Sequence, residues 1–142
     1  MNLISNINIK IIDSWNQDEI VDLYKSGGWW KEHYNPSGIN CIIKGSYAFA
    51  IAFDTKIKKA VGMGRVLSDG VSDAYIQDLV VLKEYRNSGI GHEIVKFLIN
   101  HCMKKGINWI SLIAEPNQHG FYESIGFKTM INYIPMKYKN ED

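Results

Sequence analysis

Residues 76–91 read IQDLVVLKEYRNSGIG and decide the fold of this chain. The first half of this stretch belongs to an apolar run over residues 75–82, which predicts a strand covered on both faces. From residue 89 to about residue 105, apolar side chains recur at helical spacing and predict a long helix. The two elements are joined by RNSGIG, residues 86–91, which we call the phosphate loop. Its small residues leave backbone N–H groups open at a helix N-terminus, where an anion can approach closely, so the loop predicts a phosphate site.

The segments around this stretch predict one mixed α/β domain over residues 1–142. Strands are expected at residues 7–12, 47–53, 60–67, 75–82 and 109–114, and a hairpin-like pair at 127–130 and 133–138. Further helices are expected after the capping pair Asn16 and Glu19, at residues 36–44 and at residues 117–124. Short turns in the first half predict an antiparallel meander, and the strand–helix–strand order over residues 75–114 predicts a βαβ unit. The expected fold is α/β (α+β), with a mixed, mostly antiparallel central sheet of about six to seven strands, a central βαβ unit and flanking helices.

Composition limits the classes of function. The chain has 142 residues, of which 46% are hydrophobic and 22% are charged, with a net charge of +1, as in soluble globular proteins. No basic run exceeds two residues and no apolar run approaches a membrane span, so neither nucleic acid nor a membrane is an expected partner. The N-terminus lacks the pattern of a signal peptide, which predicts a cytoplasmic protein. Cys41 and Cys102 lack metal-ligand spacing, so we expect two buried, reduced thiols and no metal.

The familiar phosphate-binding motifs do not fit the loop. A Walker loop needs GxxxxGK[ST], which does not occur, and a dinucleotide fingerprint would need a third glycine at Ile94. Gly62 and Gly64 lie inside a predicted hairpin strand, where they indicate a bulge or close packing.

The pattern that fits is Arg86-x-x-Gly89-x-Gly91 after an apolar strand and at the start of a helix. Together with Asn117 and the FYESIGF segment that contains Tyr122, it resembles the GNAT superfamily of N-acetyltransferases, whose loop reads Gln/Arg-x-x-Gly-x-Gly/Ala and whose downstream signature is FYxxxGF. The element order is similar along nearly the whole chain. The resemblance implies acetyl-CoA as co-substrate, without a metal. The cofactor-binding residues that it implies are Leu79, Val80, Val81, Arg86, Asn87, Ser88, Gly89, Ile90, Gly91, Asn117 and Tyr122.

Amine acetylation needs two proton transfers. The acceptor amine, with a free pKa near 10.4, must lose a proton, and the departing thiolate must gain one. The resemblance makes Tyr122 the candidate acid, although its side chain also fits a helix core. Asp78 is the candidate base or amine contact, with a structural role left open, and Glu115 and His119 are fallback relays. Strand alternation puts Asp78 on the opposite face from its neighbours, and a bulge, which the family often has in this strand, would change that.

The acceptor is expected to lie against the helices of the first half. The candidate substrate-binding residues are Trp29, Trp30, Tyr75 and Gln77. Indoles can bind an ammonium group, but the same aromatic side chains could equally cover the core under a long loop. The predicted function is transfer of an acetyl group from acetyl-CoA to a primary amine of a small molecule, or of a peptide, by direct attack in a ternary complex. The alternative is a non-catalytic acyl-CoA sensor with the same fold, and a homodimer is left open.

Overall fold

The computed structural model describes residues 3–139, with side chains from residue 5 onward. The chain divides into two units, Met1–Leu112 and Ile113–Asp142, which we describe separately. The first unit holds a five-stranded sheet in the order β1-β2-β3-β4-β5. Its strands are β1 (Ile7–Ile11), β2 (Ala48–Asp54), β3 (Lys59–Ser68), β4 (Asp73–Val81) and β5 (Trp109–Ser111). The first four strands pair antiparallel and β4 pairs parallel with β5, which confirms the predicted meander and βαβ unit.

Within residues 3–139, the first unit has three α-helices and the second unit has one. They are α1 (Gln17–Ser26), α2 (Ile39–Gly45), α3 (Ile90–Lys104) and, in the second unit, α4 (His119–Glu123). Short 3-10 helices occupy Leu3–Asn6, Pro36–Gly38 and Lys83–Tyr85. Asn16 caps α1 as predicted, since its side-chain oxygen accepts a hydrogen bond from the backbone N–H of Glu19 at 3.0 Å.

The two faces of the sheet differ in the size of their side chains. Large residues of β2 and β3, among them Phe49, Ile51 and Met63, pack against α1 and α2 in one hydrophobic core. Small residues face α3: a Cβ on Gly62 would lie 3.0 Å from Ile94 of that helix. The small residues of this face therefore let α3 pack close to the sheet. In the chain, this helix directly follows β4 and the phosphate loop.

The predicted strand count was too high. Residues 127–139 form no strand, and β5 ends at Ser111 rather than at residue 114. The apolar alternation of the C-terminal segment is not matched by burial, because Ile134 and Met136 are 78% and 90% exposed. Pro135, between them, has no N–H to donate to a strand ladder.

Three further features bear on the classes of function. Within residues 3–139, no helix is both long and apolar enough to cross a membrane. The same part of the chain contains no group of three or more His, Cys, Asp or Glu residues arranged to hold a metal ion. Both cysteines are free thiols; Cys102 is buried as expected, whereas Cys41 is exposed.

Candidate active site

The phosphate loop has an unusual backbone just before α3. Asn87 and Gly89 have φ angles of +61° and +91°, in the left-handed region. Gly89 is the N-cap of α3, and this residue supplies no side-chain capping hydrogen bond. The first N–H groups of a helix have no partner within it, so this start of a 15-residue helix can bind an anion. Glycine is favoured at position 89 because a Cβ strains a left-handed backbone.

Arg86 fixes the loop to two other elements. Its Nε donates to the carbonyl oxygen of Val81, at the end of β4, at 2.8 Å. One terminal nitrogen donates to the hydroxyl and the carbonyl oxygen of Ser26, at the end of α1, at 3.1 and 3.4 Å. In this structure Arg86 therefore holds the loop in place. Its contact with a cofactor stays a prediction, as do those of the other loop residues.

A β-bulge lies at the centre of β4. Met63 of β3 pairs with Val80, whereas Arg65 pairs with Gln77, so Gly64 faces two residues of β4. Asp78, one of these two, has a φ angle of +60°. The extra residue breaks the alternation of the strand and brings Gln77 and Asp78 to the same face, where both reach Arg65. The sequence left open on which face of the strand Asp78 lies, and this bulge decides it.

Asp78 belongs to a hydrogen-bonded network with Tyr24, Arg65 and Gln77. Its Oδ2 accepts hydrogen bonds from the Tyr24 hydroxyl and from Arg65 Nε, both at 2.7 Å. A terminal nitrogen of Arg65 donates to Gln77 Oε1 at 2.9 Å. The side chains of Arg65 and Asp78 are only 16% and 18% exposed, so the pair satisfies charges that would be costly to bury alone. Burial and the adjacent Asp78 carboxylate raise the pKa of Tyr24, which keeps its hydroxyl a donor.

The predicted acceptor aromatics are adjacent to this network. The ring of Tyr24 lies 6.3 Å from Trp29 and 6.5 Å from Trp30, centroid to centroid. Both indoles are partly buried against the core. A Cβ on Gly27 would approach Trp29 to 2.6 Å, so that glycine makes room for the indole. Trp29 and Trp30 thus cover the core and also border the Asp78 network, and the two readings of these aromatic residues are compatible.

The sequence analysis named two members of the network and missed the other two, Arg65 and Tyr24. Arg65 is the one charged residue in the otherwise apolar segment AVGMGRVL, residues 60–67, and this isolation is a signal that could have found it. Tyr24 lies on the apolar stripe of α1, where nothing distinguishes it from a core residue. Tyr75 pairs with Leu67 and Ser111 in the sheet, two residues before Gln77.

In the second unit, Tyr122 is held among aromatic rings. Its ring contacts Phe121 and Phe127 edge-to-face, at centroid distances of 5.0 and 5.9 Å. The backbone N–H of Phe127 donates to the carbonyl oxygen of Tyr122 at 3.1 Å. Burial, and secondarily the charge of Glu115, raises the pKa of Tyr122. The phenol is therefore protonated near neutral pH, as a general acid must be.

The other candidates of this unit lie at its surface. Asn117 is exposed and has a φ angle of +67°, and α4 begins after Gln118 rather than after Asn117. The predicted cap at Asn117 was therefore wrong, because a left-handed residue lies before the true N-cap. Glu115 and His119 are also exposed.

A family model described as "Acetyltransferase (GNAT) domain" matches residues 15–138, and the chain belongs to this family. The resemblance stated from the loop and from the Tyr122 segment is thereby confirmed.

Individual relatives and one solved structure agree with this assignment. The chain is 30% identical over 127 residues to the uncharacterized N-acetyltransferase ycf52 of Pyropia yezoensis, covering 88% of this chain and 68% of that protein. It is 37% identical over 71 residues to GCN5-related N-acetyltransferase 2, chloroplastic, of Arabidopsis thaliana, covering 50% of this chain and 28% of that protein. The chain thus matches less than a third of the length of the plant relative. A GNAT-family acetyltransferase from Streptococcus pneumoniae TIGR4 superposes with a TM-score of 0.78 at 26% identity, over 96% of this chain and 99% of that one.

Proposed function

We propose that this protein is an N-acetyltransferase that moves the acetyl group of acetyl-CoA to a primary amine of a small molecule or of a peptide. The observation that carries the proposal is the start of α3, which has a left-handed glycine and no side-chain cap. A helix that leaves its first N–H groups without a side-chain cap suits a ligand with negative charge, and coenzyme A carries a pyrophosphate.

Acetyl-CoA would bind along β4 and the phosphate loop. Backbone N–H groups from Asn87 to Gly91 would bind the pyrophosphate, each hydrogen bond to a charged oxygen being worth about 1.5–3 kcal/mol. Leu79, Val80 and Val81 would offer backbone groups to the pantetheine arm, as the family resemblance implies, with further contacts from Asn117 and Tyr122. No metal takes part in this proposal.

The acceptor amine would attack the thioester directly in a ternary complex. The Asp78 carboxylate, fixed by Tyr24 and Arg65, suits contact with a cationic amine, and it is the candidate to receive the amine's proton. Trp29 and Trp30, with Tyr75 and Gln77, would border the acceptor. Tyr122 would protonate the leaving thiolate, which its raised pKa supports.

The experiment measures release of free thiol from acetyl-CoA across a panel of alkylamines, arylalkylamines, aminoglycosides and peptides. At least one amine is expected to give turnover. Tyr122→Phe is expected to lower turnover by about 10²–10⁴-fold, the usual contribution of a general acid, with acetyl-CoA affinity nearly intact.

Tyr133→Phe is the matched control, because Tyr133 lies in the same unit and is 69% exposed. It should turn over at the rate of the unaltered protein. Equal rates for Tyr122→Phe and the control would remove Tyr122 from the mechanism. Tight acetyl-CoA binding without turnover on any amine would reject the enzyme and indicate a sensor.

A further inference from the structure

Asp54, the last residue of β2, is the one polar or charged side chain among residues 5–139 that is buried, with 5% of its surface exposed. A buried carboxylate is costly unless its oxygens accept hydrogen bonds. Here Oδ1 accepts from the backbone N–H groups of Lys56 and Ile57, at 2.8 and 3.4 Å. Oδ2 accepts from the Tyr85 hydroxyl at 2.6 Å. Oδ1 therefore stabilises the turn that follows β2, and Oδ2 binds a residue that is 31 positions away.

Tyr85 lies immediately before the phosphate loop. It ends the 3-10 helix Lys83–Tyr85, and its carbonyl oxygen accepts a hydrogen bond from the hydroxyl of Ser88, inside the loop. Tyr85 is thus held by its side chain to β2 and bonded through its backbone to the loop. The hydrogen bond to Asp54 raises the pKa of Tyr85 to about 12, so the hydroxyl remains a donor at neutral pH.

The loop needs such support because of its backbone. Asn87 and Gly89 both lie in the left-handed region, on either side of Ser88. A non-glycine residue seldom adopts this conformation and keeps it where the surroundings impose it. Arg86 ties the loop to β4 and α1, whereas the chain of hydrogen bonds through Asp54, Tyr85 and Ser88 ties it to β2. The two sets of contacts hold the loop from different elements of the first unit.

We infer that Asp54 and Tyr85 are positioning residues for the pyrophosphate of acetyl-CoA. This inference rests on the proposed function. Neither side chain would touch the ligand. They hold Ser88, and with it the N–H groups at the start of α3, in the conformation that binds the anion. A preformed set of donors binds more tightly than one that must be ordered on binding.

The test compares two acetyl donors. Acetyl-CoA contains the pyrophosphate, whereas S-acetylpantetheine carries the same thioester without it. For Tyr85→Phe we expect the Kd of acetyl-CoA, measured by calorimetry, and its KM to rise about tenfold, the range of one weakened charge-assisted hydrogen bond. The kcat at saturating acetyl-CoA should not change, and neither should kcat/KM with S-acetylpantetheine.

Two further variants keep the test decisive. Asp54→Asn replaces the carboxylate bound to Tyr85 by a neutral amide whose oxygen can still accept from the backbone N–H groups of Lys56 and Ile57, and it should show the same donor-specific loss even if Tyr85→Phe folds poorly. Tyr47→Phe is the control, since Tyr47 is a half-buried tyrosine whose ring lies against His101 and not at the loop. It should leave both donors unaffected.

The outcomes separate the inference from the proposed function. A folded Tyr85→Phe with unchanged acetyl-CoA affinity would overturn the inference and leave the acetyltransferase proposal standing. An equal loss with both donors would also overturn it, because it would indicate a general structural role. If the unaltered protein bound no acetyl-CoA, the proposed function would fail, and the inference with it.

Discussion

Helices α1 and α3 begin in opposite ways. The start of α1 is capped by a side chain, since Asn16 accepts a hydrogen bond from the backbone N–H of Glu19. The start of α3 has a left-handed glycine and no side-chain cap. A cap residue usually contributes about 1 kcal/mol to stability, so a long helix without one forgoes that contribution. The difference is the one that the proposed function expects, since a pyrophosphate bound at the start of α3 would take the place of a side-chain cap.

The residues around the two starts agree with this contrast. Glu19 in the first turn of α1 also accepts hydrogen bonds from Trp15 Nε1 at 3.0 Å and from the backbone N–H of Ala60 at 2.8 Å. These contacts use the first turn of α1 to join it to β3. At α3, the corresponding contacts hold the preceding loop instead, through Arg86 and Ser88. The chain thus stabilises the approach to α3, whose N-cap glycine has no side chain with which to cap the helix.

The largest expected effect comes from a side chain at the start of α3. Gly89→Val should abolish acetyl-CoA binding in calorimetry, because the new side chain would occupy the space of the pyrophosphate. The φ of +91° also strains any β-branched residue, at a cost of about 1–3 kcal/mol in the free energy of unfolding. The variant should keep most of its folded structure despite this loss of stability, and circular dichroism can verify this.

Gly106→Val separates the loss of binding from the strain. Gly106 lies beyond the other end of α3, has a φ of +83°, and has no atom within 4 Å of an added Cβ. It should lose similar stability while acetyl-CoA binding is retained. Tight binding by Gly89→Val would refute the assignment of the loop.

A smaller effect, on stability and not on the affinity for acetyl-CoA, is expected at α1. Asn16→Ala should lower the free energy of unfolding by about 1 kcal/mol, since one N–H group of the first turn loses its acceptor. The affinity for acetyl-CoA should not change. Urea denaturation and calorimetry measure the two quantities separately. A clear loss of affinity in this variant would contradict the contrast between the helix starts.

The fold was largely predictable because its signals are local. Alternation of large residues and alanines marked β2, and the spacing of apolar residues marked α3, so the βαβ unit followed from their order. The C-terminal strands were predicted wrongly because that prediction also relied on a local signal alone. Alternation at residues 133–138 is a local signal, whereas a strand also needs a neighbour with which to pair.

The site was only partly predictable because its decisive contacts are not local. Tyr24 and Asp78 are 54 positions apart, and a period of two cannot reveal the bulge that brings Asp78 to the face of α1. The hydrogen bond from Tyr85 to Asp54 likewise spans 31 positions, and neither residue belongs to a recognised motif. The phosphate loop, by contrast, lies between a strand and a helix that follow each other in the chain, so local patterns could predict both elements.

The smallest expected effect concerns the acidic residues of the two first turns. Asp18 and Glu93 are both exposed, near the starts of α1 and α3. In the protein without ligand, Asp18→Asn and Glu93→Gln should each lower the free energy of unfolding by about 0.3–1 kcal/mol, since each removes a favourable interaction with the helix dipole. Only Glu93 would share its helix start with a pyrophosphate, and two negative groups at one start repel each other. Glu93→Gln should therefore bind acetyl-CoA slightly more tightly, by about twofold at low salt, with the gain falling as salt is added. Asp18→Asn should leave the affinity unchanged, so equal calorimetric responses of the two variants would show that the ligand does not bind at α3.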